Sequence, residues 1–248
     1  MADKYFYSNA SLLKFNGAND STTMTDLMGH TFTASGTAKL STTSPHYGSA
    51  SLTLDGSSYI DTTSTLADYA FSNGEFTLEA SVKCTGSSTK KIFSLDGTNG
   101  YHLEVTAAGL LCLRHNTPGA LITALSPTVN TGSWVHVAAD KVGNVYYLYV
   151  DGVKSATVTW GSSLTFGGSA TKFTIGREYW NGGAQHYFTG NIDNVRITQG
   201  YARYRGSNYT PADFDELQAD IWGFNKHTRK ISNPRTVMRA TQIRHLGV

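Results

Sequence analysis

Cysteine, proline and charge are all scarce in this chain. Its 248 residues include two Cys and five Pro, and only 15% are Asp, Glu, Lys or Arg. Two thiols supply neither a zinc site nor a disulfide framework. Both sit in strand-like runs, Cys84 after Ala80, Ser81 and Val82, and Cys112 among Leu110, Leu111 and Leu113. Buried free thiols are the expectation, with a cross-strand disulfide as the alternative. The low charge argues against a helical protein, whose exposed faces carry many Glu, Lys and Arg. No apolar run approaches the roughly 18 residues that span a bilayer, so no membrane insertion is expected. Residues Met1 to Tyr5 lack the basic-then-apolar pattern of a secretory signal, which points to assembly in a cytosol.

What is abundant is turn and strand material. The chain has 24 Ser, 32 Thr, 25 Gly and 14 Tyr, the composition of short strands joined by glycine-containing turns. Aromatics at 12% exclude a disordered chain. Phe76, Leu78, Ala80 and Val82 alternate, as do Leu52 and Leu54, so each run presents one face inward. Gly143 and Asn144 between two apolar runs signal a hairpin, and Asp151-Gly152 a tight turn. Strand-like runs follow one another with no helical period, which predicts a two-sheet sandwich or jelly roll. No linker divides this body.

Near-neutrality is a cancellation. Residues 1–218 hold 14 Lys/Arg and 17 Asp/Glu, a net of −3, and residues 219–248 hold six Lys/Arg and one Asp, a net of +5. Residues 1–212 are therefore expected to form one domain and 213–248 a basic C-terminal arm. In the arm Lys226, Arg229, Lys230, Arg235, Arg239 and Arg244 are spread out among apolar residues. That spacing disfavours nucleic acid, which selects a denser patch. It suits an extended segment that orders on an acidic partner surface.

The ordered motifs Ser51-Leu-Thr-Leu-Asp-Gly, Gly74-Glu-Phe-Thr-Leu-Glu-Ala, Trp134-Val-His-Val-Ala, Leu148-Tyr-Val-Asp-Gly and Gly190-Asn-Ile-Asp-Asn-Val-Arg-Ile form a recognisable series. The chain resembles the laminin-G-like branch of the concanavalin A-like lectin/glucanase superfamily over about residues 10–212. The resemblance implies an all-β jelly roll of two antiparallel sheets. Residues 12–23, and Ile197 to Tyr204 ahead of Tyr209-Thr-Pro-Ala, look like forms met in virion proteins of tailed bacteriophages. It implies a non-enzymatic virion protein, such as a capsid decoration protein or head fibre. Such a protein would be present in many copies as a homo-oligomer, with capsid or other virion proteins as partners of the arm. The alternative is a tail-associated lectin that binds host-surface glycan.

Three site expectations follow from the resemblance. Glycosidases of this fold use a Glu-x-Asp-x-Glu strand. Here Glu75, Thr77 and Glu79 stand in its place, and Thr77 breaks the pattern. Glu75 and Glu79 read as solvated surface carboxylates, and a polysaccharide hydrolase is the weaker alternative. Similar domains hold calcium on an Asp of the last strand and on an N-terminal loop, which carries over to Asp193 with Asn19 and Asp20. The other reading has Asp193 accepting backbone N–H bonds. For glycan, Arg177, Tyr179, Trp180 and Asn181 join aromatic faces to polar groups in one loop. The same aromatics suit packing against the sandwich end or a neighbouring subunit.

Overall fold

The computed structural model describes residues 6–62, 66–116, 119–167, 172–180 and 183–214. In chain order the strands begin β1 (Asn9–Leu13), β2 (Thr23–Thr25), β3 (Thr31–Ser35), β4 (Lys39–Ser41), β5 (Ser51–Asp55) and β6 (Tyr59–Thr62). Next come β7 (Phe76–Cys84), β8 (Lys90–Leu95), β9 (Tyr101–Val105), β10 (Leu111–His115), β11 (Gly119–Thr123) and β12 (Val135–Val142). The series ends with β13 (Val145–Val150), β14 (Val153–Thr159), β15 (Phe173–Ile175), β16 (Glu178–Trp180), β17 (Gly183–Gln185) and β18 (Thr189–Gln199).

All pairings are antiparallel and build two large sheets. The first runs β14-β13-β12-β7-β18-β5-β4, with β1 also on β18. The long β18 takes β5 along Thr189 to Ile192 and β1 along Val195 to Thr198. The second sheet runs β11-β10-β9-β8-β15-β6-β3-β2, and β16 and β17 form a separate hairpin. The jelly-roll sandwich expected from the sequence is present.

The alternating runs fill the space between the sheets. Phe76, Leu78, Ala80 and Val82 of β7 all enter the core, as do Leu52 and Leu54 of β5 and Leu103 and Val105 of β9. Tyr69 stacks on Phe173 with ring centroids 4.2 Å apart, and Phe166 meets Phe76 edge-on at 4.9 Å. Leu148 and Val150 pack inward as their alternation requires. Trp134 does otherwise: it is half-buried and stacks on His46 at 5.0 Å, outside the core cluster. Asp151 and Gly152 both take positive φ, 48° and 75°, and close the β13–β14 hairpin. Cys84 and Cys112 are buried and free, and burial pushes both thiols up to about 11, which leaves them inert.

Most antiparallel sheets leave one face to water. In β7, Thr77, Glu79 and Ser81 point away from the core and are nevertheless fully buried. The cover is the segment from Gly200 to Phe214, which folds back over the outer face of the first sheet. Arg203 and Tyr204 donate backbone N–H groups to Thr77 Oγ1 (2.8 Å) and Asp140 Oδ2 (2.9 Å). Phe214 joins Phe6 and Leu12 in a second small apolar cluster, and Lys14 pairs with Asp213 at 2.9 Å.

Candidate functional site

The outer face of the second sheet carries an aromatic patch. Ile60 enters the core, so its neighbours Tyr59 and Asp61 face outward by strand alternation. After β15 the chain passes Gly176, where a Cβ would lie 2.6 Å from Leu54 Cδ1 and φ is +97°. That close passage, open only to glycine, delivers Arg177 onto the Tyr59 ring, with Cζ 3.9 Å from the centroid. Ser94 Oγ donates to the Arg177 carbonyl at 2.8 Å. Tyr187 flanks Tyr59 at 6.4 Å, and Tyr179, 51% exposed, lies with its ring centroid 5.7 Å from Arg177 Cζ.

Beneath the β16–β17 hairpin lies a charged network on the same sheet face. Lys91 on β8 bridges Glu104 of β9 and Glu178 of β16, the latter at 3.1 Å. Arg114 adds a two-pronged contact to Glu104 Oε1, at 3.2 Å from Nε and 3.0 Å from Nη2. His186 pairs with Glu178 on its other oxygen. His102 sits 3.4 Å from Glu178 and meets Asn116 Oδ1 at 2.5 Å. Burial and the Lys91 charge hold His102 down to about 4, so its ring is neutral near pH 7. Burial acts on Glu104 the opposite way, yet Lys91 and Arg114 outweigh it and keep the carboxyl below its ordinary value. Asp96 accepts the Tyr179 backbone N–H at 3.0 Å, and burial pushes it up to about 6. These pairs fasten the hairpin to the sheet and fix where Tyr179 stands. With Glu104 and Glu178 held by internal cations, the network positions groups at the surface.

Of the glycan candidates, the structure brings Arg177 and Tyr179 together. The Trp180 side chain and Asn181 lie outside the described residues. Tyr59, Tyr187, Asp96 and Lys91 were not singled out from sequence. The Tyr59-Ile60-Asp61 alternation is the one local signal that turns Tyr59 outward. The long-range partners of Lys91 leave no such signal.

The residues proposed for calcium have other partners. Asp193 Oδ2 accepts backbone N–H groups from His46 (2.9 Å) and Tyr47 (3.0 Å), and Oδ1 accepts from Asn194 (2.8 Å). This is the backbone-acceptor reading of that residue. Asp20 pairs with Lys39 at 2.6 Å, while Asn19 contacts Asp20 at 2.8 Å and Thr42 N–H at 3.1 Å. Lys39 is on β4, two strands across from β18. Groups that donate hydrogen surround Asp193, whereas calcium needs converging oxygens. Among the described residues no group of three or more His, Cys, Asp and Glu is placed to hold a metal ion.

The Glu75–Glu79 strand also departs from its expected surface role at one position. Glu79 is completely buried and bonded by Arg196 Nε (2.6 Å), with Tyr204 Oη donating to its other oxygen and His136 Nε2 at 3.4 Å. The reason is the folded-back segment, which excludes water from that face. Glu75 keeps a partly exposed side chain and pairs with Arg205. The arm residues Lys226, Arg229, Lys230, Arg235, Arg239 and Arg244 lie outside the described residues.

Comparison with known proteins places this arrangement. The model of the concanavalin A-like lectin/glucanases superfamily matches residues 54–205, well over half of the chain. No curated protein matches it. Among solved structures, the binding domain of Paraclostridial Mosquitocidal Protein 1 superposes with a TM-score of 0.62 at 12% identity, covering 79% of this chain and 49% of that one. The binding domain of botulinum neurotoxin serotype G gives 0.60 at 11%, covering 79% and 48%. The chain thus spans about half the length of these toxin domains. Domain 4 of AbnA, a GH43 extracellular arabinanase from Geobacillus stearothermophilus in complex with arabinotriose, gives 0.57 at 19%, covering 80% and 95%. At these identities the likeness is one of fold. From the matched residues and the two-sheet architecture together, the chain belongs to the laminin-G-like branch of the concanavalin A-like lectin/glucanases superfamily.

Proposed function

We infer that this chain is a non-enzymatic carbohydrate-recognition module displayed on a bacteriophage particle, as a decoration protein, head fibre or tail-associated lectin. The observation that carries the recognition half is the patch of Tyr59, Arg177, Tyr179 and Tyr187, built on strands and a pinned hairpin. Sugar rings bind by stacking their C–H faces on such aromatics while polar groups fix orientation. Solved relatives in fold include toxin binding domains and a domain crystallised with arabinotriose. A non-catalytic role agrees with Glu79, Glu104 and Glu178 being held in internal ion pairs.

The display half rests on geometry and charge. Phe214 is docked on the outer face of the first sheet, and the aromatic patch lies on the outer face of the second. Phe214, the last described residue, thus lies on the side opposite the patch. An arm anchored to capsid or other virion proteins would leave the patch facing the host, in many symmetric copies. A glycan array probed with the full chain tests the recognition half. Binding is expected to one glycan class and to be lost in Tyr179→Ala, whose half-exposed side chain leaves the core intact. A blank array, or binding indifferent to Tyr179→Ala, overturns it.

A further inference from the structure

We propose that Arg177 anchors the carboxylate of an acidic sugar, so that the glycan class is one bearing uronate or sialate. This rests on the recognition reading above and narrows it.

The arginines of the described residues divide sharply. Arg114 is paired with Glu104, Arg196 with Glu79, Arg205 with Glu75, and Arg203 bonds Thr198 Oγ1 and Asn9 Oδ1. Arg177 is 6% exposed, and its buried Nε has no hydrogen-bond partner among the described residues. What holds its guanidinium is aromatic: Tyr59 at 3.9 Å and Tyr179 at 5.7 Å. The neighbouring carboxylate, Asp96, spends Oδ2 on the Tyr179 backbone and leaves Oδ1 without a hydrogen-bond partner. It does not complete the fork of Arg177.

A buried Nε–H without an acceptor is costly. The planar guanidinium fork matches a carboxylate bidentately, more closely than it matches a lone hydroxyl. Stacking on Tyr59 leaves the nitrogen edge as the hydrogen-bonding direction. Tyr179 is half-exposed, with its ring centroid 5.7 Å from Arg177 Cζ. An acidic sugar stacked on Tyr179 would turn its ring carboxylate toward this edge. Hexuronates and sialates share that chemistry and differ in the ring carbon that bears it.

Isothermal titration of the full chain separates the sources. The probes are trigalacturonate against its methyl ester, and sialyllactose against lactose. In at least one pair the acid is expected to bind about tenfold tighter than its neutral counterpart, the ratio one charge-assisted hydrogen bond supplies. Arg177→Gln is expected to bring that ratio within about twofold, and Arg177→Lys, which keeps charge but loses the fork, to fall between. Should Arg177→Gln fail to fold, the wild-type ratio decides alone. Equal affinities within both pairs overturn the proposal and leave the glycan reading standing, as do array hits confined to uncharged sugars. An unchanged ratio in a folded Arg177→Gln overturns it as well. No binding to any of the four together with a blank array removes both readings.

Discussion

Glu79 shows how neighbours decide what a carboxylate does. Its spacing from Glu75 suggests the acid of a hydrolase or a solvated surface group, and the structure buries it against Arg196. Burial alone would raise its pKa, but Arg196 and His136 more than offset that and hold the carboxyl well below its ordinary range. A depressed folded-state value means stability that is complete above the ordinary Glu value of 4.5 and is lost as pH falls below it. Glu79→Gln leaves the Arg196 charge buried without its partner. It is expected to cost about 3–5 kcal/mol and to flatten the acid limb of the stability profile. Urea unfolding from pH 7 to 2 measures both, and a variant that follows the wild-type curve contradicts the role of the pair. Single residues were legible in the sequence only where local pattern decides them. The inward positions Phe76, Leu78, Ala80 and Val82 follow from period two. The burial of Thr77, Glu79 and Ser81 depends on a segment more than a hundred residues away, which no local pattern records.

Among the elements, the segment from Gly200 to Phe214 covers the outer face of the first sheet. Tyr204 stacks on Tyr209 at 3.4 Å, and Tyr209 donates its backbone N–H to the Gly152 carbonyl at 2.9 Å. A Cβ on Gly152 would lie 2.0 Å from the Tyr209 carbonyl oxygen, so the tight turn read from Asp151-Gly152 also creates the seat for this cover. The turn was visible in sequence, but its second task was not, because a glycine's use for close approach shows only once the approaching segment is placed. Among the described residues the packing ends at Phe214, which sets the point of truncation. The truncated chain is expected to melt at the full-length temperature in calorimetry. In the display reading it is also lost from purified particles, and truncated protein retained at full occupancy contradicts the arm's role.

The described body is a sandwich whose two outer faces are covered in different ways. On the first sheet the cover is the chain's own return, closing a network around Glu79 and Asp140. On the second it is a small hairpin fastened by Lys91, Glu104 and Glu178, with the aromatic patch beside it. The fold was legible in the sequence because strand alternation and turn chemistry repeat along the whole body. The patch was legible by half: Tyr179 and Arg177 are neighbours in sequence, while Tyr59 and Tyr187 join them only across strands. In the proposed reading, the unequal charge of body and arm separates recognition from attachment. Chemical-shift mapping of the full chain during titration with a glycan that it binds tests the central claim most directly. Perturbations centred on Tyr59, Arg177, Tyr179 and Tyr187, and absent from the Glu79 network, are the result expected. Perturbations centred on the first sheet, or spread evenly over the body, would contradict it.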